Sequence, residues 1–125
     1  MIESGDIVEL TRTLFHAMNI RDFDLFDQII TDEIAFDFPG AGRIEGRRRT
    51  VLLLKSILRK YPVLQFDVSE VISQEDRSCA VWTNKGESSN GDPYSNNGMT
   101  LLHFSEGKIS SISDYFKDTS FVGNR

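Results

Sequence analysis

Asp114 is the residue of this sequence best placed for acid/base chemistry. It lies in Gly107–Asp118, GKISSISDYFKD, where apolar and small polar residues alternate imperfectly. The alternation predicts a strand, opened by the turn Ser105-Glu106-Gly107-Lys108. On such a strand Ser110, Ile112, Asp114 and Phe116 share one face, and Ser111, Ser113 and Tyr115 the other. If the Ile112/Phe116 face is buried, a carboxylate enters the core. That is costly unless the group is paired, protonated or chemically employed. Desolvation disfavours its charged form and lifts its pKa toward neutrality, where a carboxylate shuttles protons well.

Other chemistries find less support. Gly40-Ala41-Gly42 lacks the helix-and-lysine context of a phosphate loop. Cys79 is the one cysteine, so no intramolecular disulfide is possible. The net charge of −5 argues against general nucleic-acid binding. No apolar run approaches the roughly 20 residues that span a bilayer, so no membrane partner is expected. MIESGDIVEL has neither a basic n-region nor an apolar h-region, and the expected location is cytoplasmic. Charge is uneven: residues 1–37 are acidic, and residues 43–60 carry seven basic side chains against Glu45. The run Arg47-Arg48-Arg49 reads as a solvated helix start rather than an anion site. Nine phenylalanines beside one tryptophan suggest a core or cavity lined with plain aromatic rings.

The elements that would position Asp114 follow from periodicity. At 125 residues the chain fits one domain, 1–125, with one core. Ile7, Val8, Thr11, Leu14, Phe15 and Met18 form one helical stripe over residues 5–18, and His16 lies opposite it. Asp22 caps a second, short helix with Phe23, Phe26, Ile29 and Ile30 on its apolar side. Ile34–Phe38 is a short strand stopped by Pro39-Gly40, and Gly40, Gly42 and Gly46 mark a loop. A third helix runs from about Arg47 to Arg59, burying Val51, Leu52, Leu54, Ile57 and Leu58. After Pro62 the period falls to two, and four strands joined by short turns make an antiparallel meander. The class is α+β, with helices covering one face of a curved sheet.

This order, α-α-β-α-β-β-β-β, and several local motifs resemble the cystatin-like cone fold. That fold is shared by nuclear transport factor 2, ketosteroid isomerase, limonene-epoxide hydrolase and the SnoaL-like polyketide cyclases. The motifs are Ala17-Met18-Asn19-Ile20-Arg21-Asp22-Phe23-Asp24, Phe36-Asp37-Phe38-Pro39-Gly40, the run Gly91 to Gly98, and Glu106 to Phe116. The resemblance covers nearly the whole chain. It implies an interior pocket between the concave sheet face and the helices, and a homodimer through the convex face. An ungapped alignment turns Asn96, Gly98, Thr100, Leu102 and Phe104 toward the pocket. It puts Met99, Leu101 and His103 on the convex, dimer-forming face. The same alignment places Ser110, Ile112, Asp114 and Phe116 inside.

The resemblance also implies a candidate site. Ketosteroid isomerase needs two aspartates and a tyrosine at positions that here look like Phe38, Thr100 and Leu14, so its mechanism is not expected. The epoxide hydrolase aspartate corresponds to Asp114, but its Arg–Asp partner pair is missing from Trp82–Glu87. Its water-holding asparagine corresponds to Asp37, and the templates differ on whether residue 37 or 38 faces inward. In SnoaL-like cyclases a last-strand aspartate like Asp114 serves as acid and base. The candidate catalytic residues are therefore Asp114 and Asp37. Phe38, Trp82, Asn96 and Thr100 are candidate substrate contacts, with Leu102, Ile112 and Phe116 as further wall. Trp82 faces either the pocket or the dimer surface, depending on hairpin length. Asn96 would anchor a substrate carbonyl. Lys85 and Glu87 would pair in the pocket only if odd positions face inward. With His16 and His103 on different elements and both outward, neither a metal site nor a Ser–His–Asp arrangement is expected.

The expected function is a pocket protein for a small, mostly apolar or amphipathic molecule. It would be a cofactor-free acid/base enzyme of the cyclase, isomerase or hydrolase type, with Asp114 transferring the proton. The alternative is a non-catalytic ligand-binding or protein-interaction module on the same fold.

Overall fold

The computed structural model describes residues 4–118, with side chains from residue 5. Residues 1–3, part of the stretch read for a leader, lie outside the described residues. Helix α1 (Ser4–Ile20) buries Ile7, Thr11, Leu14 and Phe15 as its stripe predicts, and His16 is exposed. The Thr11 hydroxyl donates to the Ile7 carbonyl and also lies 2.7 Å from the Ser78 hydroxyl, so a buried polar contact ties the helix to the sheet.

The Asn19–Asp22 corner has a structural purpose for each polar residue. The Asn19 amide exchanges two hydrogen bonds with the Phe66 backbone, at 2.9 and 2.8 Å. Arg21 donates to the carbonyls of Met18, Asn19, Tyr61, Pro62 and Leu64. Asp22 caps α2 (Phe23–Gln28) by accepting from the Leu25 N–H. The corner thus fastens the helical layer to the start of the meander.

Helix α2 ends before Ile29 and Ile30, which the sequence pattern assigned to it. Ile30 instead opens β1 (Ile30–Phe38), four residues earlier than expected, and pairs in parallel with Ile109. Tertiary pairing overrides a short helical pattern here. The glycine-marked loop also contains a strand, β2 (Gly42–Glu45), paired antiparallel with β1 from Phe38↔Gly42 to Ala35↔Glu45. Only Ile44 is apolar there, so alternation gave no sign of it. The order is therefore α-α-β-β-α-β-β-β-β.

Helix α3 (Arg47–Lys60) buries Thr50, Leu54 and Leu58. Leu52 is 56% exposed, against expectation. Arg47 is engaged by Asp27, Asp32 and the Ile30 carbonyl, so it is not free to meet an anion. The meander follows as β3 (Gln65–Gln74), β4 (Arg77–Glu87), β5 (Pro93–Ser105) and β6 (Lys108–Phe116).

The six strands run β2-β1-β6-β5-β4-β3, antiparallel except for the β1–β6 pair. Ser69 and Ser110 are extra residues at β-bulges, where the register slips between Val68/Glu70 and His103/Phe104. Bulges bend a strand and increase twist, which suits a sheet that curves around helices. The Ser110 bulge also changes parity: Ile109 enters the core in place of the Ser110 expected from strict alternation. Helix α1 packs on β3 and β4, and α3 on β1. No described helix is long and apolar enough to cross a membrane.

Candidate functional site

Even-numbered residues of β4 and β5 face the helices, so Trp82, Asn84, Thr100 and Leu102 turn inward. The register sets Thr100 directly opposite Asp114 and Trp82 opposite Gly98. A short relay results. The Trp82 indole N–H donates to Thr100 Oγ1 at 2.8 Å, and the Thr100 hydroxyl donates to Asp114 Oδ1 at 2.7 Å. An indole can only donate, so the threonine oxygen accepts from it and turns its own hydrogen to the carboxylate. Asp114 Oδ2 is left without a partner among the described residues.

Asp114 is half-buried because its side chain meets a cavity. Burial pushes its pKa up from 3.8 to about 6, with a smaller push from the Asp37 charge, against the lowering effect of the Thr100 hydrogen bond. At pH 7 the group is mostly ionised yet close enough to its pKa to accept and return a proton. Thr100→Val is expected to remove the lowering hydrogen bond and raise the Asp114 pKa further, read by carbon-13 titration of its carboxyl. The stranded indole N–H would also cost about 1–3 kcal/mol of stability in urea unfolding. An unchanged titration would show that the relay does not tune the acid.

The cavity measures about 210 Å³, bounded by Phe38, Ile57, Phe66, Trp82, Asp114 and Phe116. Ser56, Lys60, Tyr61, Asn84 and Tyr94 add its polar groups. A lobe of about 40 Å³ shares Phe38, Ile57, Phe66 and Asp114, and adds Leu14, Phe36, Thr100 and Ile112. Aromatic contacts hold the wall: Phe38 meets Phe116 at 5.7 Å, Phe66 meets Trp82 at 5.1 Å, and Tyr61 meets Tyr94 at 4.6 Å. Gly98 lies between Trp82 and Phe116. A Cβ there would collide with the Tyr115 carbonyl and come within 2.6 Å of Phe116 Cα, so only glycine fits this approach of β5 to β6.

Phe38, Trp82, Thr100, Ile112, Asp114 and Phe116 all line this space. Three other expectations are corrected. Asp37 is exposed, on the opposite side of β1 from Phe36 and Phe38, and reaches Asp114 only through its charge. Leu102 is fully buried in the packed core and bounds neither part of the cavity. Asn96 is buried, but its amide bonds the Tyr94 hydroxyl, the Asp118 backbone and the Asn97 N–H. It fastens the end of β6 instead of facing a ligand. Lys85 and Glu87 are exposed and form no pocket pair. His103 is exposed, 2.9 Å from the Ser111 hydroxyl. Among the described residues no three His, Cys, Asp or Glu side chains cluster as a metal site. Asn84, Tyr61 and Tyr94 were not foreseen as wall residues. For Asn84 the signal was available, since it shares strand parity with Trp82.

Helices packed on one face of a curved six-stranded sheet give the cone fold of the solved nuclear transport factor 2-like structures. The family model for the SnoaL-like domain matches residues 11–112. The chain belongs to that family. Among solved structures, it is similar to a candidate SnoaL-like polyketide cyclase from Jannaschia sp. CCS1 (TM-score 0.85, 16% identity, covering 94% of this chain and 91% of that one). It is also similar to an epoxide hydrolase of the limonene-epoxide hydrolase-like type from M. tuberculosis (TM-score 0.81, 19% identity, 93% and 86% covered). A candidate ketosteroid isomerase from Kribbella flavida DSM 17836 shares the fold as well (TM-score 0.74, 17% identity, 92% and 80% covered). At such identities the likeness concerns the fold alone. No curated protein gives a sequence match.

Proposed function

We infer that this protein is a cofactor-free acid/base enzyme acting on a small, mostly apolar carbonyl compound, with Asp114 as the proton-transfer group. The observation that carries the reading is one carboxylate, held by Thr100 through a single oxygen, facing an aromatic cavity. The free oxygen would take a proton from a carbon beside the substrate carbonyl. The C–H pair moves into an enolate and the proton onto Asp114. Asp114 then returns the proton, at the same or another carbon, or the enolate closes on a second carbonyl of the same molecule and the alkoxide so formed takes the proton back from Asp114. The similarity to cyclase, isomerase and hydrolase structures supports this class without selecting a member. A cavity of about 210 Å³ lies below the range of about 300–1,000 Å³ for drug-sized ligands, which favours a small substrate.

The test is carbon-bound hydrogen exchange. With cyclohexanone or 4-phenylbutan-2-one in deuterated buffer near neutral pH, the protein should accelerate deuterium uptake beside the carbonyl, and Asp114→Asn should return it to background. Bound ketone with exchange at background in both proteins would instead support a non-catalytic binding module. A cytoplasmic setting stays the expectation for such an enzyme.

The convex face is proposed as a homodimer surface. Met99 (42% exposed) and His103 stand there with half-buried Leu101, alongside exposed Ile72 and Tyr115. Sedimentation at micromolar concentration should give twice the chain mass, and Met99→Lys should give one. A monomeric wild-type protein would remove the interface.

A further inference from the structure

Among the described residues, three buried side-chain atoms lack a hydrogen-bond partner: Arg47 Nε, Thr50 Oγ1 and Asn84 Oδ1. Only Asn84 borders the aromatic cavity. It is 7% exposed, and its amide makes no hydrogen bond to a described residue. Its cross-strand neighbours offer it none: Phe66 on β3 is apolar, and the Asn96 amide on β5 is already engaged by Tyr94, Asn97 and Asp118. Leaving a polar group buried without a partner is costly, and beside a cavity a bound ligand can supply that partner.

We propose that Asn84 is the specificity-determining residue of the cavity and binds a hydroxyl group carried by the apolar substrate. The proposal rests on the reading of the cone as a ligand cavity. A side-chain amide presents one acceptor and one donating NH₂, and a hydroxyl answers either of them. Asn84 and Asp114 come from β4 and β6, with β5 between them. They therefore address different parts of one bound molecule. The substrate class is a small apolar body with its reacting carbon at Asp114 and a hydroxyl some distance away, at Asn84. Ile57, Phe66 and Trp82 would cover the apolar part between them.

The test uses two probes of equal heavy-atom count, cyclohexylmethanol and ethylcyclohexane. Binding is read from Trp82, the chain's one tryptophan, which stands in the cavity wall. The measured quantity is the ratio of the two affinities. Asn84→Leu should shift that ratio toward the hydrocarbon by about tenfold or more, the size expected for one buried hydrogen bond. The ratio is read on unreactive probes, so failure of the catalytic reading does not decide this one. Asn84→Leu should also keep or raise the melting temperature, because the amide supports nothing in the empty fold. An unchanged ratio, no binding of either probe, or a lower melting temperature in Asn84→Leu would each overturn the proposal.

Discussion

Asp114→Asn is expected to make the protein more stable at pH 7.5 while removing the proposed proton-transfer activity. The carboxyl titrates at 3.8 in an unhindered chain and at about 6 in the fold. The fold therefore prefers the protonated acid. The stability this group contributes is full below pH 3.8 and is lost as pH rises through about 6. A shift of this size corresponds to roughly 3 kcal/mol of strain at neutral pH, at about 1.4 kcal/mol per unit. Asparagine keeps the shape and an oxygen that accepts from Thr100, but carries no charge to desolvate. The variant should gain about 2–3 kcal/mol above pH 7, or about 5–10 °C in melting temperature for a domain of this size. The gain should vanish near pH 4, where the wild-type acid is itself neutral. Paired unfolding curves at the two pH values isolate Asp114, since every other carboxylate is common to both proteins. A loss of stability at pH 7.5 would mean that the carboxylate is better compensated than the Thr100 contact alone allows. A substitution that stabilises while it inactivates is what a site holding strain for chemistry predicts.

Arg21→Ala is expected to be the most damaging single change outside the core. The guanidinium bonds five carbonyls, with the closest contacts at 2.9 Å, on both α1 and the link from α3 to β3. Burial holds its pKa below the ordinary value, a sign that the charge is partly desolvated. Hydrogen bonds to a charged group contribute about 1.5–3 kcal/mol each when isolated. Water would reach some of the freed carbonyls, so the net loss should be about 3 kcal/mol in urea unfolding. Arg21→Lys should recover only part of it, because one ammonium cannot spread over a planar fork of five acceptors. Tyr61 and Leu64, two of the residues held in this way, also line the cavity. The lysine variant should therefore bind cavity probes more weakly even when folded. A loss below about 1 kcal/mol for Arg21→Ala would show that the corner is held by packing instead.

The fold was legible where periodicity was strong. The α1 stripe, the switch to period two after Pro62 and the turn signals at Gly91 and Gly107 lead directly to the structure. It was hidden where pairing, not pattern, decides. Ile30 and β2 are strands because neighbours supply hydrogen bonds, and their own residues do not announce it. Part of the site was legible too. Alternation placed Asp114, Ile112 and Phe116 inward, and these positions escape the Ser110 bulge because they lie beyond it. Ser110 and Ile109 sit at the bulge, where a single extra residue exchanges faces. Asn96 was placed on the right face with the wrong task, because hydrogen-bond partners 22 residues away cannot be read from a local pattern. Asn84 was missed although it shares parity with Trp82, whose own orientation depended on the hairpin.

The central claim is that the cone holds one carboxylate poised for proton transfer. Its most direct test is a carbon-13 titration of the Asp114 carboxyl in the folded protein from pH 3 to 9. The structure predicts a midpoint near 6, moving upward in Thr100→Val. A midpoint near 4, unchanged by that substitution, would contradict it.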